Sequence, residues 1–174
     1  MASFDIEFAA VTDIGDVFSE NTNIVAFTEL KYFTGIIEIP GKAFKGCSLL
    51  QKIILPESLI SIDSNAFRFC VCLKSVIIPE GVASIGFSAF SGCSRLKRVY
   101  CKPVTPPAIY YYSGWGSSVD SKNPPFDEST SMKIYVPRDA YNDYMQYSSC
   151  SDYKMAQTNW YAYRSKIEAY DFEE

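Results

Sequence analysis

The chain repeats itself every 23 residues, and that period constrains its fold more than any other feature. Ala43-Phe44, Ala66-Phe67 and Ala89-Phe90 recur at this interval. Cys47, Cys70 and Cys93 make a second column, Leu50, Leu73 and Leu96 a third, and Ile39, Ile62 and Ile85 a fourth. Ile36, Leu59 and Val82 fall in register with them, as do Pro56 and Pro79. One unit of this size cannot bury its own apolar edge and has to stack on a neighbour, so the pattern predicts an elongated array of coils.

Within each unit, Leu50-x-x-Ile53-x-Leu55, Leu73-x-x-Val76-x-Ile78 and Leu96-x-x-Val99-x-Cys101 read as short strands whose alternate residues point inward. A second extended piece follows, Leu59-x-x-Ile62 and Val82-x-x-Ile85, and a small helical turn then carries Ala-Phe into the core. Leu and Ile at fixed places in such a period indicate a leucine-rich solenoid. The expected fold class is α/β, a right-handed leucine-rich-repeat solenoid of about four coils with N- and C-terminal caps.

The expected boundaries, all in one structural domain, are an N-terminal cap over 1–26 and repeats over 27–104. An inserted Pro/Gly/Ser/Tyr loop spans 105–125, and a last degenerate coil with a helical C-terminal cap spans 126–174. Phe27, Leu30 and Tyr32 take the inward strand positions of the first coil. Phe126 and Met132 are spaced like Phe90 and Leu96 but lie 36 residues later, which places the extra residues in the loop. Pro137 suits the first position of a helix. Tyr141, Tyr144 and Tyr147, then Trp160, Tyr163 and Ile167, have the spacing of two helices around Ser148-Ser149-Cys150-Ser151.

Several functions are disfavoured by composition. The 174 residues include no His, which removes Ser-His-Asp and Cys-His nucleophilic systems and leaves only Cys and carboxylates for a metal. Asp127-Glu128 and Glu173-Glu174 are adjacent pairs, whereas glycoside hydrolysis needs two carboxyl groups facing each other across a cleft. No enzymatic activity, cofactor or metal is expected. A net charge of -4 argues against a general nucleic-acid binder. No apolar run is long enough for a transmembrane segment. The opening Met1-Ala2-Ser3 leads into Phe4-Asp5-Ile6-Glu7 without the features of a signal peptide, which suits either a cytoplasmic protein or a mature fragment with an added Met.

The cysteines divide by position. Cys47, Cys70 and Cys93 stack beside the Phe column, where parallel Cβ vectors disfavour a disulfide and a line of thiols cannot surround a tetrahedral metal. They are expected to act as small buried hydrophobes, with Cys101 at an inward strand position. Cys72 falls on a turn and Cys150 on a loop, and the sequence leaves their pairing open.

The run Ile39-Pro40-Gly41-Lys42-Ala43-Phe44-Lys45-Gly46-Cys47-Ser48-Leu49-Leu50, with copies ending Ala66-Phe67-Arg68-Phe69-Cys70 and Ala89-Phe90-Ser91-Gly92-Cys93, resembles the BspA-type (Treponema pallidum-type) leucine-rich repeats. Phe27-Thr28-Glu29-Leu30-Lys31-Tyr32-Phe33-Thr34-Gly35, the exit Cys101-Lys102-Pro103-Val104-Thr105-Pro106-Pro107, Ile134-Tyr135-Val136-Pro137 and Tyr170-Asp171-Phe172 are similar to such arrays in surface proteins of gut Bacteroides. The resemblance implies a secreted or surface-anchored bacterial protein that adheres to host proteins or other cells, with no catalytic residues to carry over. Related proteins often have a calcium-loop-like segment before an Ala-Ala-Val-Thr stretch. Only Ala9-Ala10-Val11-Thr12 is present here, so no calcium is expected.

If Leu50, Ile53 and Leu55 point inward, Gln51, Lys52 and Ile54 point outward. The period then aligns Lys31/Ile54/Ile77/Tyr100, Glu29/Lys52/Ser75/Arg98 and Thr28/Gln51/Lys74/Lys97, with Val136 continuing the first column. The candidate binding residues are therefore Lys52, Ile54, Lys74, Ile77, Lys97, Arg98, Tyr100 and Val136, an apolar ridge with a cationic flank. An alternative ligand loop carries Tyr111, Tyr112 and Trp115. Residues 1–40 hold seven acids and one Lys, while residues 41–102 hold nine bases and three acids, so the repeat body is basic within an acidic chain. The expected function is a non-enzymatic module for protein–protein interaction or adhesion at the bacterial surface or outside the cell. Its partner would be a host extracellular or cell-surface protein, or a second copy of itself. The alternatives are a carbohydrate-binding module using the Trp115 loop and a passive structural scaffold.

Overall fold

The structure, a computed structural model, describes residues 8–110, 124–126, 131–146, 157–158 and 160–172. In chain order its strands are β1 (Ala26–Phe27), β2 (Glu38–Ile39), β3 (Lys52–Ile53), β4 (Ser61–Ile62), β5 (Ser75–Ile78) and β6 (Ser84–Ile85). They continue with β7 (Arg98–Cys101), β8 (Ala108–Tyr110), β9 (Lys133–Pro137), β10 (Gln157–Thr158) and β11 (Ile167–Tyr170). Each repeat supplies one strand to each of two sides of the stack. On one side β1 pairs with β3, and β5, β7, β9 and β11 form a parallel sheet in that order. On the other, β2, β4, β6 and β8 are parallel, and β10 joins β8 in the antiparallel sense.

Among the described residues the third side has no regular strands, yet its backbone also forms a ladder. The amides of Phe44, Gly46, Phe67 and Phe69 donate to the carbonyls of Ala66, Arg68, Ala89 and Ser91 one coil further on, at 2.7–2.8 Å. These turns need left-handed backbone at two places per repeat. Lys42, Asn65 and Ser88 have φ of 67, 60 and 53°, and Gly46, Phe69 and Gly92 have φ of 73, 63 and 76°. Glycine suits the second place because it has no Cβ to crowd the following carbonyl. Phe69 occupies it at a steric cost.

Stacked phenyl rings run through the interior. Phe18, Phe44, Phe67, Phe90 and Phe126 lie 5.1–5.3 Å apart in succession, with interplanar angles of 1–10°. Edge-on rings close both ends, Phe27 against Phe18 and Tyr163 against Phe126. Beside the rings, each stacked thiol reaches back one coil. The Sγ of Cys47, Cys70 and Cys93 donate to the carbonyls of Phe18, Phe44 and Phe67 at 3.0–3.1 Å. The Cys column thus has a polar role as well as a packing one. Cys47, Cys70, Cys93 and Cys101 are buried and free; Cys72 is free and half-buried, with Arg95 Nη1 at 3.8 Å. Cys150 lies outside the described residues.

At both ends the fold departs from the 23-residue rule. Phe27 pairs with Ile53, an advance of 26, so the earliest coil is longer than the later ones. Leu30 is buried in the 3-10 helix Glu29–Tyr32, whereas Tyr32, expected inward, is 46% exposed. The stretch before Phe27 gives Ile14 and Phe18 to the core. Near the C-terminus the described residues show only short helical pieces, Arg138–Ala140, Tyr141–Met145 and Trp160–Tyr163. Ile167, expected in a helix, begins β11, which extends the parallel sheet. Its spacing from Tyr163 mimics a helical turn but marks the step from a 3-10 turn to a strand. No helix among the described residues is long and apolar enough to cross a membrane.

Candidate binding face

The outward side of the sheet containing β5, β7, β9 and β11 is built from alternate strand residues. Val76, Ile78, Val99, Cys101, Ile134 and Val136 fill the interior, which turns Ile77, Tyr100 and Tyr135 outward. Ile77 pairs with Tyr100 and Tyr100 with Tyr135. Of the candidates read from sequence, Lys52, Lys74, Lys97, Arg98 and Ile77 are exposed, and Ile54 and Tyr100 are half-buried.

Val136 does not belong to this face. It is 0% exposed, and the residue beside Tyr100 is Tyr135. Leu96 and Val99 have two residues between them, whereas Met132 and Ile134 have one, so the strand after the insertion is shifted by one position. A one-residue shift reverses the faces of every side chain in a strand. The first coil fails to continue the ridge for a related reason. Its advance of 26 removes Lys31, Glu29 and Thr28 from the columns assigned to them.

The correct register assembles an aromatic cluster. Tyr100 and Tyr135 stack at 5.0 Å, and Tyr170 meets both edge-on at 5.6 and 5.5 Å. Phe172 lies 4.9 Å from Tyr170. Ile77, Tyr100, Lys102, Tyr170 and Phe172 line an open groove of about 360 Å³. It shares Lys102, Tyr170 and Phe172 with a second hollow of about 520 Å³ that extends to Glu80 and Arg138. Three ion pairs border the cluster: Lys102 with Glu57 at 3.6 Å, Lys133 with Glu168 at 2.7 Å, and Arg138 with Asp171 at 2.7 and 2.8 Å. The Arg138 guanidinium holds the Asp171 carboxyl below the usual carboxylate range.

Sequence reasoning missed Tyr135, Tyr170 and Phe172 as site residues. A signal for Tyr135 was present, because Lys133-Ile134-Tyr135-Val136 matches Arg98-Val99-Tyr100-Cys101 in charge, size and aromaticity. The alternative loop residues Tyr111, Tyr112 and Trp115 lie outside the described residues, as do Asp127, Glu128, Glu173 and Glu174.

Short parallel strands on two sides of the stack, with buried Leu, Ile, Phe and Cys columns between, define a leucine-rich-repeat protein of the α/β class. The chain belongs to the BspA type leucine rich repeat region family, whose model matches residues 11–112 in six copies. Among solved structures, a leucine rich cell surface protein from Faecalibacterium prausnitzii A2-165 is similar, with 21% identity and a TM-score of 0.40. That similarity covers 68% of this chain, which spans 36% of the other. No curated protein matches the chain.

Proposed function

We propose that the chain is a non-enzymatic protein-binding module, and that the outward face around Tyr100, Tyr135 and Tyr170 is its contact surface. The observation that carries this reading is the aromatic cluster itself. Three tyrosines and Phe172 gather on an outer face, where their mutual packing supports the sheet and where aromatic and Arg side chains suit a protein interface. The reading places the module at the bacterial surface or in the secreted fraction, with adhesion to host extracellular proteins as its role. It describes the array as a right-handed solenoid of about four regular coils with a cap at each end.

The test is surface plasmon resonance against immobilised extracellular-matrix and serum proteins. Changing Tyr100 and Arg98 to Ala together is expected to weaken binding at least tenfold, about 1.4 kcal/mol, with only a modest fall in melting temperature from the lost ring contacts. Unaltered binding, or a large loss of stability, counts against this face. A glycan array with Trp115→Ala tests the carbohydrate alternative.

A further inference from the structure

Charge on the candidate face is distributed unevenly. Toward the starts of its strands lie the exposed cations Lys74, Lys97, Arg98 and Lys133, with Lys52 on the neighbouring strand β3. Lys133 is held by Glu168, and Lys97 Nζ donates to Ser131 at 2.8 Å. Lys52, Lys74 and Arg98 have no carboxylate partner among the described residues. Of the carboxylates near the cluster, Glu57 pairs with Lys102, Glu168 with Lys133 and Asp171 with Arg138, whereas Glu80 and Asp139 line the adjoining hollow. The strands thus present spare positive charge at one end and a groove between aromatic rings at the other.

Resting on the protein-binding reading, we propose that the occupant of this face is an acidic, extended protein segment carrying an apolar anchor. The anchor fills the groove between Ile77, Tyr100, Tyr170 and Phe172, and carboxylates on the same segment meet Arg98 and Lys74. The spacing supports this arrangement. Arg98 and Tyr100 lie on one face of β7 two residues apart, about 6.6–6.8 Å. Alternate side chains of an extended ligand have the same pitch, so an apolar residue and an acid two positions away reach the ring and the guanidinium together. A carboxylate against Arg98 can accept two parallel hydrogen bonds from its guanidinium. These exposed cations also make the face attractive to an acidic chain before contact, an attraction that salt weakens.

The experiment is fluorescence anisotropy on the full chain with labelled synthetic peptides. One peptide has a central Phe with Glu at alternate positions on both sides. A second replaces each Glu by Lys, and a third replaces Phe by Ser. A sulfated oligosaccharide is the fourth probe. The acidic Phe peptide is expected to bind, and about 0.5 M salt is expected to weaken it strongly. The Lys and Ser peptides are expected to bind at least tenfold less well. Lys74→Glu with Arg98→Glu is expected to lower affinity at least tenfold with a nearly unchanged melting temperature. Tyr170→Ala is expected to lower it as much in a chain that still unfolds cooperatively, with a lower melting temperature from the lost ring contacts. Equal binding of the Lys peptide, indifference to charge reversal, or a preference for the sulfated oligosaccharide through the same residues overturns the proposal. If the peptides fail while Tyr100→Ala with Arg98→Ala still abolishes binding to a matrix protein, the acidic-segment proposal falls and the protein-binding reading stands.

Discussion

The Tyr163 hydroxyl donates to the Phe126 carbonyl at 3.2 Å and accepts from the Phe126 amide at 3.3 Å. In the preceding coils the equivalent amides of Phe44, Phe67 and Phe90 donate to carbonyls of Ala66, Ala89 and Pro125, each supplied by the next coil. The side chain of Tyr163 therefore stands in for a backbone rung at the end of the ladder, while its ring closes the phenyl stack. Two neighbours work in a similar way. Tyr144 Oη donates to the Pro103 carbonyl at 2.6 Å, and Trp160 Nε1 to that of Pro107 at 2.7 Å. Aromatic residues with a polar tip suit this end because they cover apolar surface and satisfy backbone groups together.

Tyr163→Phe is the sharpest test of that substitute rung. The ring stays, but the buried amide and carbonyl of Phe126 lose their partner, which is expected to cost about 1–3 kcal/mol. Urea unfolding monitored by circular dichroism measures it. A change under about 0.5 kcal/mol would show that the hydroxyl plays no such part.

Phe67→Ala removes the central ring of the stack. Its neighbours, at 5.2 and 5.1 Å, are held by their own coils and cannot collapse into the gap. The expected loss is about 3–5 kcal/mol in the same unfolding measurement. A loss below about 1 kcal/mol would mean that the column is not a core element.

The buried thiols make stability fall at high pH. Burial pushes the Cys47 thiol up to about 11 and the Cys101 thiol up to about 12, from about 8.5 in an unfolded chain. The Cys70 thiol is raised too, first by its hydrogen bond with Cys93 and then by burial. The folded state holds these protons more tightly than the unfolded one. Their stabilising contribution is therefore complete below about pH 8.5 and is lost as pH rises through about 11–12. Unfolding free energies across this window, compared between the native chain and Cys47→Ala, should show a shallower decline in the variant. In the folded protein at pH 8, a thiol reagent should leave Cys47, Cys70, Cys93 and Cys101 unlabelled until denaturant is added.

Gly92→Ala tests the left-handed column. The residue has φ of 76°, and a Cβ there would collide with the Phe69 ring. The expected cost is about 1–2 kcal/mol from backbone alone, with the collision in addition. In a double-mutant cycle with Phe69→Gly, the collision part should disappear and the backbone part remain. Simple additivity of the two changes would show that the side chains do not meet.

How much of this was legible in the sequence varies along the chain. The Ala-Phe, Cys and Leu columns were readable because identical coils place identical side chains in identical surroundings. The candidate face was readable as far as Tyr100 and no further. Val136 was placed on it by counting from Met132, whereas the residue missing before Ile134 puts Tyr135 there instead. Phe18 was hidden for a similar reason, since it joins the Phe column across a gap of 26 residues.

The sequence alone determined the repeating coil, its inward columns and the basic character of the body, because each depends on local period and composition. Only the tertiary structure decided the register across the insertion, the strand at Ile167–Tyr170 and the gathering of Tyr100, Tyr135, Tyr170 and Phe172. Those depend on how backbone hydrogen bonds pair between strands far apart in the sequence. Strand pairing is set by which register buries Ile134, Val136 and Ile167 against the stack, a comparison among long-range alternatives that no local pattern contains.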